Sequence, residues 1–305
     1  MFTSSTLMYF FVETPLHAGS GRGLGAVDLP IQRERSTGYP LVQASGIKGK
    51  LRAEATHKAD TEEKKQKVFA VFGPDAEAMK DEKNQYAGAI SPGDARLLLL
   101  PVRSLIGVFA WTTSVNALAR FVRDAKSVGI TLEWGVSAPP TGTALVAPES
   151  QVASGDKMAL EEFSYTPESK EVVQQIGAWL ATNALPQGNE YEYWRTRLPL
   201  RLVILPEDDF RDFALYATEV VTRVKLNSDT KTVDKEHGAL WTEESLPTDT
   251  LLYAPLFAAD PRKKVNGIVT SADVLQFVRD LKLERVQLGG DETVGRGLVA
   301  LRIGR

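Results

Sequence analysis

The chain has 305 residues, 43% of them apolar and 25% charged, with a formal net charge of −3, enough for one large or two modest cores. It contains no cysteine, which excludes disulfides, thiolate metal sites and a thiol nucleophile. The first apolar run, residues 7–12, has no basic flank and is too short to span a bilayer, so it predicts a strand of a soluble, cytoplasmic protein with no membrane partner.

In chain order, residues 3–13 predict a strand and 15–26 a glycine-rich loop. Residues 27–33 and 39–43 flank a Ser36-Thr37-Gly38 turn and predict a hairpin. A helix is expected from Gly46 to about His57, with Ser45 as its N-cap. Its first turn, Gly46-Ile47-Lys48-Gly49-Lys50, places two lysines at the positive end of the helix dipole, where they oppose it. An anion on that helix end, such as a phosphate, would reconcile the charges, and the two glycines would let another backbone come close. Residues 62–72 predict an amphipathic helix that stops at Gly73-Pro74. Residues 87–102 read as a strand pair or one bent strand, with 97–100 buried on both faces. A helix is expected over 112–127, where Val115, Leu118, Ala119 and Val122 recur at spacings of three and four. Strand, helix, strand, strand, helix, strand is the ferredoxin-like order, so the expected class is α+β, one such core with insertions.

Beyond it, residues 137–167 are rich in Pro, Ser, Thr and Gly and are expected to be irregular. Helices are predicted over 168–184 and 208–217, and a strand over 200–205. Residues 220–226 and 240–244 read as two arms of an extended hairpin joined by the polar stretch 227–238. A strand over 251–257, a helix over 271–281 and a strand over 285–288 follow. The tail 289–297 is glycine-rich, and a last strand runs to Ile303. No repeat period or low-complexity segment is present.

Charge is unevenly distributed. Residues 17–52 hold six Arg or Lys against two acids, and residues 262–305 hold nine against five, so the remainder is acidic. Two basic segments on an acidic body suit a protein that holds a polyanion along one groove. The candidate contacts are Arg33, Arg35, Lys48, Lys50 and Arg52. In the tail they are Gly289, Gly290, Gly295, Arg296 and Gly297, whose backbone N–H groups can cradle an anion or simply form a tight turn. The Gly21-Arg22-Gly23-Leu24-Gly25 run loosely matches a dinucleotide fingerprint, but Val27-Asp28-Leu29-Pro30 follows where a helix must begin. His17, His57 and His237 lack metal-ligand spacing. Asp28 is a lone acid after a flexible loop, suited to act as a base toward a ribose 2′-OH or to hold a divalent cation, or else to cap the turn before Pro30. One carboxylate is too few for a two-metal cage, so an RNA substrate would have to supply other ligands or attack with its own 2′-OH, and the second is favoured. His17 is a candidate proton donor or phosphate-orienting group, or an inert loop residue. Leu240 and Trp241 would serve a base-unstacking wedge or pack on a neighbour. Tyr191, Tyr193, Trp194, Arg195 and Arg197 suit base stacking or a loop anchored by aromatics.

Four motifs carry a family resemblance: Pro15-Leu16-His17-Ala18-Gly19; Val27-Asp28-Leu29-Pro30-Ile31-Gln32-Arg33-Glu34; Gly46-x-Lys48-Gly49-x-Leu51-Arg52; and Leu288-Gly289-Gly290 with Gly295-x-Gly297. With the segment 97–111, they resemble the repeat-associated (RAMP) superfamily of CRISPR proteins, and within it the multicopy backbone subunits of type III-B (Cmr) effector complexes. The resemblance implies a ferredoxin-like palm over 1–305 that binds guide RNA, with an insertion at about 137–199 and a thumb hairpin at about 224–250. It further implies copies that polymerise along the guide with other Cmr subunits and cleave target single-stranded RNA at regular intervals. The cleaving residue would be Asp28, a divalent cation, Mg²⁺ or Mn²⁺, the cofactor, and Glu243 or Glu244 of the thumb would approach a neighbouring copy's site or else simply solvate a surface strand. Two other readings stand beside it: a non-catalytic RNA-binding subunit, and a small-molecule enzyme whose glycine loops hold a phosphorylated substrate.

Overall fold

The computed structural model describes residues 2–23, 25–225, 227, 229–233 and 240–304; His237, Gly238 and Leu226 of the expected thumb lie outside them. Strand β1 (Ser4–Val12) is central, and seven of its nine residues are buried. Its side chains alternate between two cores. Met8, Phe10 and Val12 enter one, and Leu7, Tyr9 and Phe11 the other, as the period of two requires for a strand covered on both faces. After β1 come β2 (Leu41–Val42) and the helices α1 (Ala44–His57) and α2 (Glu62–Phe72). The strands β3 (Ile90–Pro92), β4 (Ala95–Ser104) and β5 (Val108–Ser114) follow, then α3 (Val115–Ser127). Next are β6 (Thr143–Val146), β7 (Met158–Leu160), β8 (Phe163–Ser169), α4 (Glu171–Asn183), α5 (Glu192–Arg201), β9 (Leu202–Leu205) and α6 (Glu207–Tyr216). The chain closes with β10 (Glu219–Val224), β11 (Leu240–Ser245), β12 (Leu251–Ala258), α7 (Ser271–Asp280), β13 (Arg285–Gln287) and β14 (Leu298–Ile303).

The larger sheet has the order β13-β14-β1-β12-β4-β5-β9-β6-β8-β7. Within it β14, β1, β12 and β4 are antiparallel neighbours, so the centre joins strands from both chain ends. Helices α1, α2 and α7 cover one face through Ile47, Leu51, Val68, Val71, Val274 and Val278. Helices α3 and α4 cover the other through Leu118, Phe121, Ile176 and Leu180. Strand β4 is the bent strand expected over 87–102, preceded by the short β3. Leu251 pairs with Leu99 but Leu252 with Leu97, leaving Leu98 as a bulge. The bulge reverses the alternation, so Leu98 and Leu99 both enter the second core, and beyond it β4 turns to pair with β5. That accounts for four consecutive buried leucines.

Several expectations change. The helix expected from 112 begins at Val115, because residues 108–114 form β5 and the Ser114 hydroxyl accepts the Ala117 N–H at its start. The segment 137–167, expected to be irregular, holds β6, β7 and β8; these strands complete the far side of the sheet, a long-range pairing that local composition does not reveal. Helix α1 starts at Ala44 with Gln43, not Ser45, as N-cap. Asp94 Oδ1 accepts the Ala44 N–H at 2.8 Å and supplies the acid that the first turn lacks. Lys48 and Lys50 therefore stand in the second turn. Among the described residues no helix is long and apolar enough to cross a membrane.

Candidate functional site

Strands β10 and β11 form a separate antiparallel ribbon, with Val220 opposite Glu244, Thr222 opposite Thr242 and Val224 opposite Leu240. The outer edge of β11 organises the site. Its backbone groups meet, in order, the Asp28 loop, His17 and Leu16. The Leu29 N–H donates to the Thr242 carbonyl at 3.0 Å and the Glu244 N–H to the Leu29 carbonyl at 3.0 Å, while Leu16 and Leu246 exchange a pair of bonds at 2.9 Å. Between them the Glu244 carbonyl accepts a hydrogen bond from His17 Nδ1 at 2.6 Å. A carbonyl can only accept, so Nδ1 carries a proton and, in the neutral ring, Nε2 is an acceptor. Asp28 and His17 thus attach two residues apart on one strand edge, about 7 Å along it. The turn at Ser36-Thr37-Gly38 forms, with the Glu34 N–H donating to the Tyr39 carbonyl and the Leu41 N–H to the Gln32 carbonyl. Its first arm, however, gives part of its backbone pairing to β11 and to Gly19, so only a two-residue strand, β2, remains on the second.

Asp28 is exposed, yet its Oδ2 accepts both the Thr242 N–H at 2.7 Å and the Thr242 hydroxyl at 2.9 Å. The Thr242 backbone N–H chiefly, then its hydroxyl and the charge of Arg22, hold the Asp28 carboxyl below the usual carboxylate range. It is a carboxylate at neutral pH. Thr242 did not stand out in the sequence; its only signal is its place two residues before Glu244 on the ribbon.

Glu243 and Glu244 are buried rather than solvated. They point to opposite faces of β11, and each meets an arginine. Glu243 binds Arg223 through two bonds at 2.9 and 3.0 Å, and Arg223 also approaches Asp291 at 3.7 Å. Glu244 pairs with Arg33 and accepts the Ile31 N–H at 3.0 Å and the Thr218 hydroxyl at 2.7 Å. Arg33 further donates to the Gly38 and Ala214 carbonyls at 2.8 and 2.7 Å. The structure therefore makes Arg33 and Glu244 an internal clamp that anchors the ribbon, with both terminal nitrogens of Arg33 and both carboxylate oxygens of Glu244 engaged within the chain.

The two glycine-rich segments meet beside this edge. The Gly290 N–H donates to the His17 carbonyl and the Gly297 N–H to the Pro15 carbonyl, both at 2.9 Å. At Gly289 (φ 76°) a Cβ would lie 2.2 Å from the His17 carbonyl oxygen, so this glycine is there to let the His17 loop pass. Gly295 faces open space, and Arg296 lies 3.6 Å from Glu219. Lys48, Lys50 and Arg52 stand on α1. Lys48 is half-buried and donates to the Ile90 carbonyl at 3.1 Å; burial chiefly, and then the Arg52 charge, lower its ammonium pKa. It borders a cavity of about 580 Å³ lined also by Phe2, Ser91, Asp260 and Arg262. Lys50 pairs with Glu54 at 2.9 Å, and Arg35 is exposed. Leu240 is 69% exposed and Trp241 half-buried. Trp194 donates to Asp249 at 2.8 Å, and Arg195 to the Pro186 and Gly188 carbonyls at 2.6 and 2.8 Å. Residues 191–197 are thus tied to the body as an anchored segment.

The model of the RAMP superfamily matches residues 10–300. This chain belongs to the RAMP superfamily. Among its relatives, the CRISPR system Cmr endoribonuclease Cmr4 of Pyrococcus furiosus is 38% identical over 303 residues, covering 97% of this chain and 95% of the relative. The CRISPR system CMR subunit Cmr4 of Saccharolobus solfataricus is 28% identical over 96% of this chain and 95% of its own length. The crystal structure of oligomeric Cmr4 from P. furiosus superposes with a TM-score of 0.72 at 29% identity, covering 98% of this chain and 97% of that one. A chain in the cryo-EM structure of the type III-B Cmr-beta complex bound to cognate target RNA shares the fold, with a TM-score of 0.73 at 21% identity and coverage of 99% and 98%. A mixed α/β RAMP architecture follows, and the matched span includes the Asp28 edge.

Proposed function

We propose that this protein is a guide-RNA-binding backbone subunit of a type III-B CRISPR effector that cleaves target single-stranded RNA at regular intervals. Copies of the chain would line the guide with other Cmr subunits, in the cytoplasm. The observation that carries this reading is the fixed, exposed Asp28 carboxylate on the β11 edge of a chain 38% identical to a Cmr endoribonuclease. The order β14-β1-β12-β4, with α1 after β1 and α7 after β12, supports a ferredoxin-like palm, elaborated by the insertion at 137–199 and by a thumb whose ribbon arms are β10 (Glu219–Val224) and β11 (Leu240–Ser245), the first starting earlier than the expected 224–250.

Among the described residues no three His, Asp or Glu side chains gather to hold a metal. Asp28, whose Oδ1 accepts no hydrogen bond from the described residues, would hold a divalent cation, Mg²⁺ or Mn²⁺, as one carboxylate ligand. Such a cation, when bound, would neutralise charge at the scissile phosphate. Asp28 holds Oδ2 on Thr242 and leaves Oδ1 open, so it acts by accepting a hydrogen bond from the ribose 2′-OH and aligning it. His17, attached to the same edge, would take that proton at Nε2. Attack by the 2′-oxygen on the adjacent 3′-phosphorus forms a 2′,3′-cyclic phosphate and breaks the bond to the 5′-oxygen, which takes its proton from water.

Asp28→Asn in the assembled complex should retain guide and target binding and lose target cleavage. A complex of the variant that cuts at near-normal rate would remove Asp28 from the reaction and leave a purely structural RNA-binding subunit.

A further inference from the structure

The hold on Asp28 comes from one residue 214 positions away. The Asp28 N–H donates to Thr242 Oγ1 at 2.9 Å, and the Thr242 hydroxyl and N–H return two bonds to Oδ2. A hydroxyl has one proton to give. The Ala26 carbonyl lies at 3.5 Å, so the shorter contact to the charged Oδ2 takes it. The result is a reciprocal three-bond clasp that saturates Oδ2, while Oδ1 accepts no hydrogen bond from the described residues. An exposed aspartate on a glycine-rich loop has no packing to restrain its rotamer, and a group that must align a 2′-OH loses rate steeply when it wanders. Thr242 is itself held, because the next two residues of β11 are locked on opposite faces by Arg223 and Arg33.

We propose that Thr242 is the positioning residue of the cleavage site, fixing Asp28 by Oδ2 so that Oδ1 is the oxygen offered to the RNA. This rests on the role given to Asp28 above. Valine at 242 keeps the shape and the backbone N–H but loses the hydroxyl, whereas serine keeps both polar groups. The Asp28 N–H that valine abandons lies at the surface, where water replaces the bond, so the fold is spared.

The test uses the assembled guide complex and compares Thr242→Val, Thr242→Ser and Asp28→Asn by single-turnover cleavage at saturating target, target Kd and melting midpoint. Thr242→Val should slow cleavage about ten- to a hundredfold with Kd and midpoint unchanged, and Thr242→Ser should retain most of the rate. Parental cleavage by Thr242→Val alongside an inactive Asp28→Asn would overturn the positioning role and leave Asp28 in place. A loss of rate in Thr242→Val matched by weaker binding or a lower midpoint would also overturn it, showing the clasp to be a structural staple. Normal cleavage by Asp28→Asn would bring down the reading of Asp28 itself, and this inference with it.

Discussion

Asp28 and Glu244 show how environment separates two acids of one site. Asp28 is exposed, holds a charge and keeps one oxygen open, so it can meet a substrate. Glu244 is buried, and its carboxylate is consumed by Arg33, Ile31 and Thr218. Removing one partner of such a pair strands the other charge away from water. Arg33→Ala should therefore destabilise the protein by about 3 kcal/mol, read as a lower urea midpoint with an unchanged slope. A change within experimental error would show that the clamp is dispensable. The absence of a multi-carboxylate cluster among the described residues leads to a second expectation at this scale. A target bearing single 2′-deoxy substitutions at the cut positions should bind normally and resist cutting at those positions only. Cutting at the normal rate there would make water the nucleophile and require ligands beyond Asp28.

At the scale of elements, α1 and the β10–β11 ribbon make different demands on their backbones. Gly46 and Gly49 on α1 face open space, with nothing within 4 Å of an added Cβ. The free protein has no packing reason for them, and each lowers helix stability by about 1 kcal/mol relative to alanine. Gly49→Ala should thus raise the stability of the isolated chain by about that amount while weakening guide RNA binding, since a methyl group blocks close backbone approach. Stabilisation with unaltered RNA affinity would mean that α1 does not face the guide. The ribbon is anchored by two arginine–glutamate pairs, and three of its apolar residues, Val220, Val224 and Leu240, are exposed. Deleting residues 227–238 and closing the ribbon with a tight turn should spare folding and guide binding but blur the regular spacing of the cuts. A regular ladder from the deletion would remove the ribbon from the role of spacer.

At the scale of the whole molecule, legibility follows the range of the interactions. Strand β1, helices α2 and α7 and the ribbon arms were readable because their signals are local: an apolar run, a 3.6-residue period, a Gly-Pro stop, a polar stretch between two apolar ones. Asp28 stood out as a candidate for the same reason, because a lone acid between a glycine loop and a basic turn, within a motif that resembles a known superfamily, is visible residue by residue. The strands inside 137–167 were not, since β6 and β8 are parallel neighbours and β6 pairs with β9 some sixty residues on, and short segments of mixed polarity become strands only when such partners arrive. Lysines assigned to the first turn of α1 moved to its second because an acid at Asp94, remote in sequence, sets where the helix begins. The roles of Arg33, Glu244 and Thr242 rested wholly on segments meeting in space. Residue types announce what chemistry is possible, but whether a charge is buried and paired or exposed and free depends on which distant backbone lies beside it, and here the edge of β11 makes that choice for Asp28, His17 and Glu244 together.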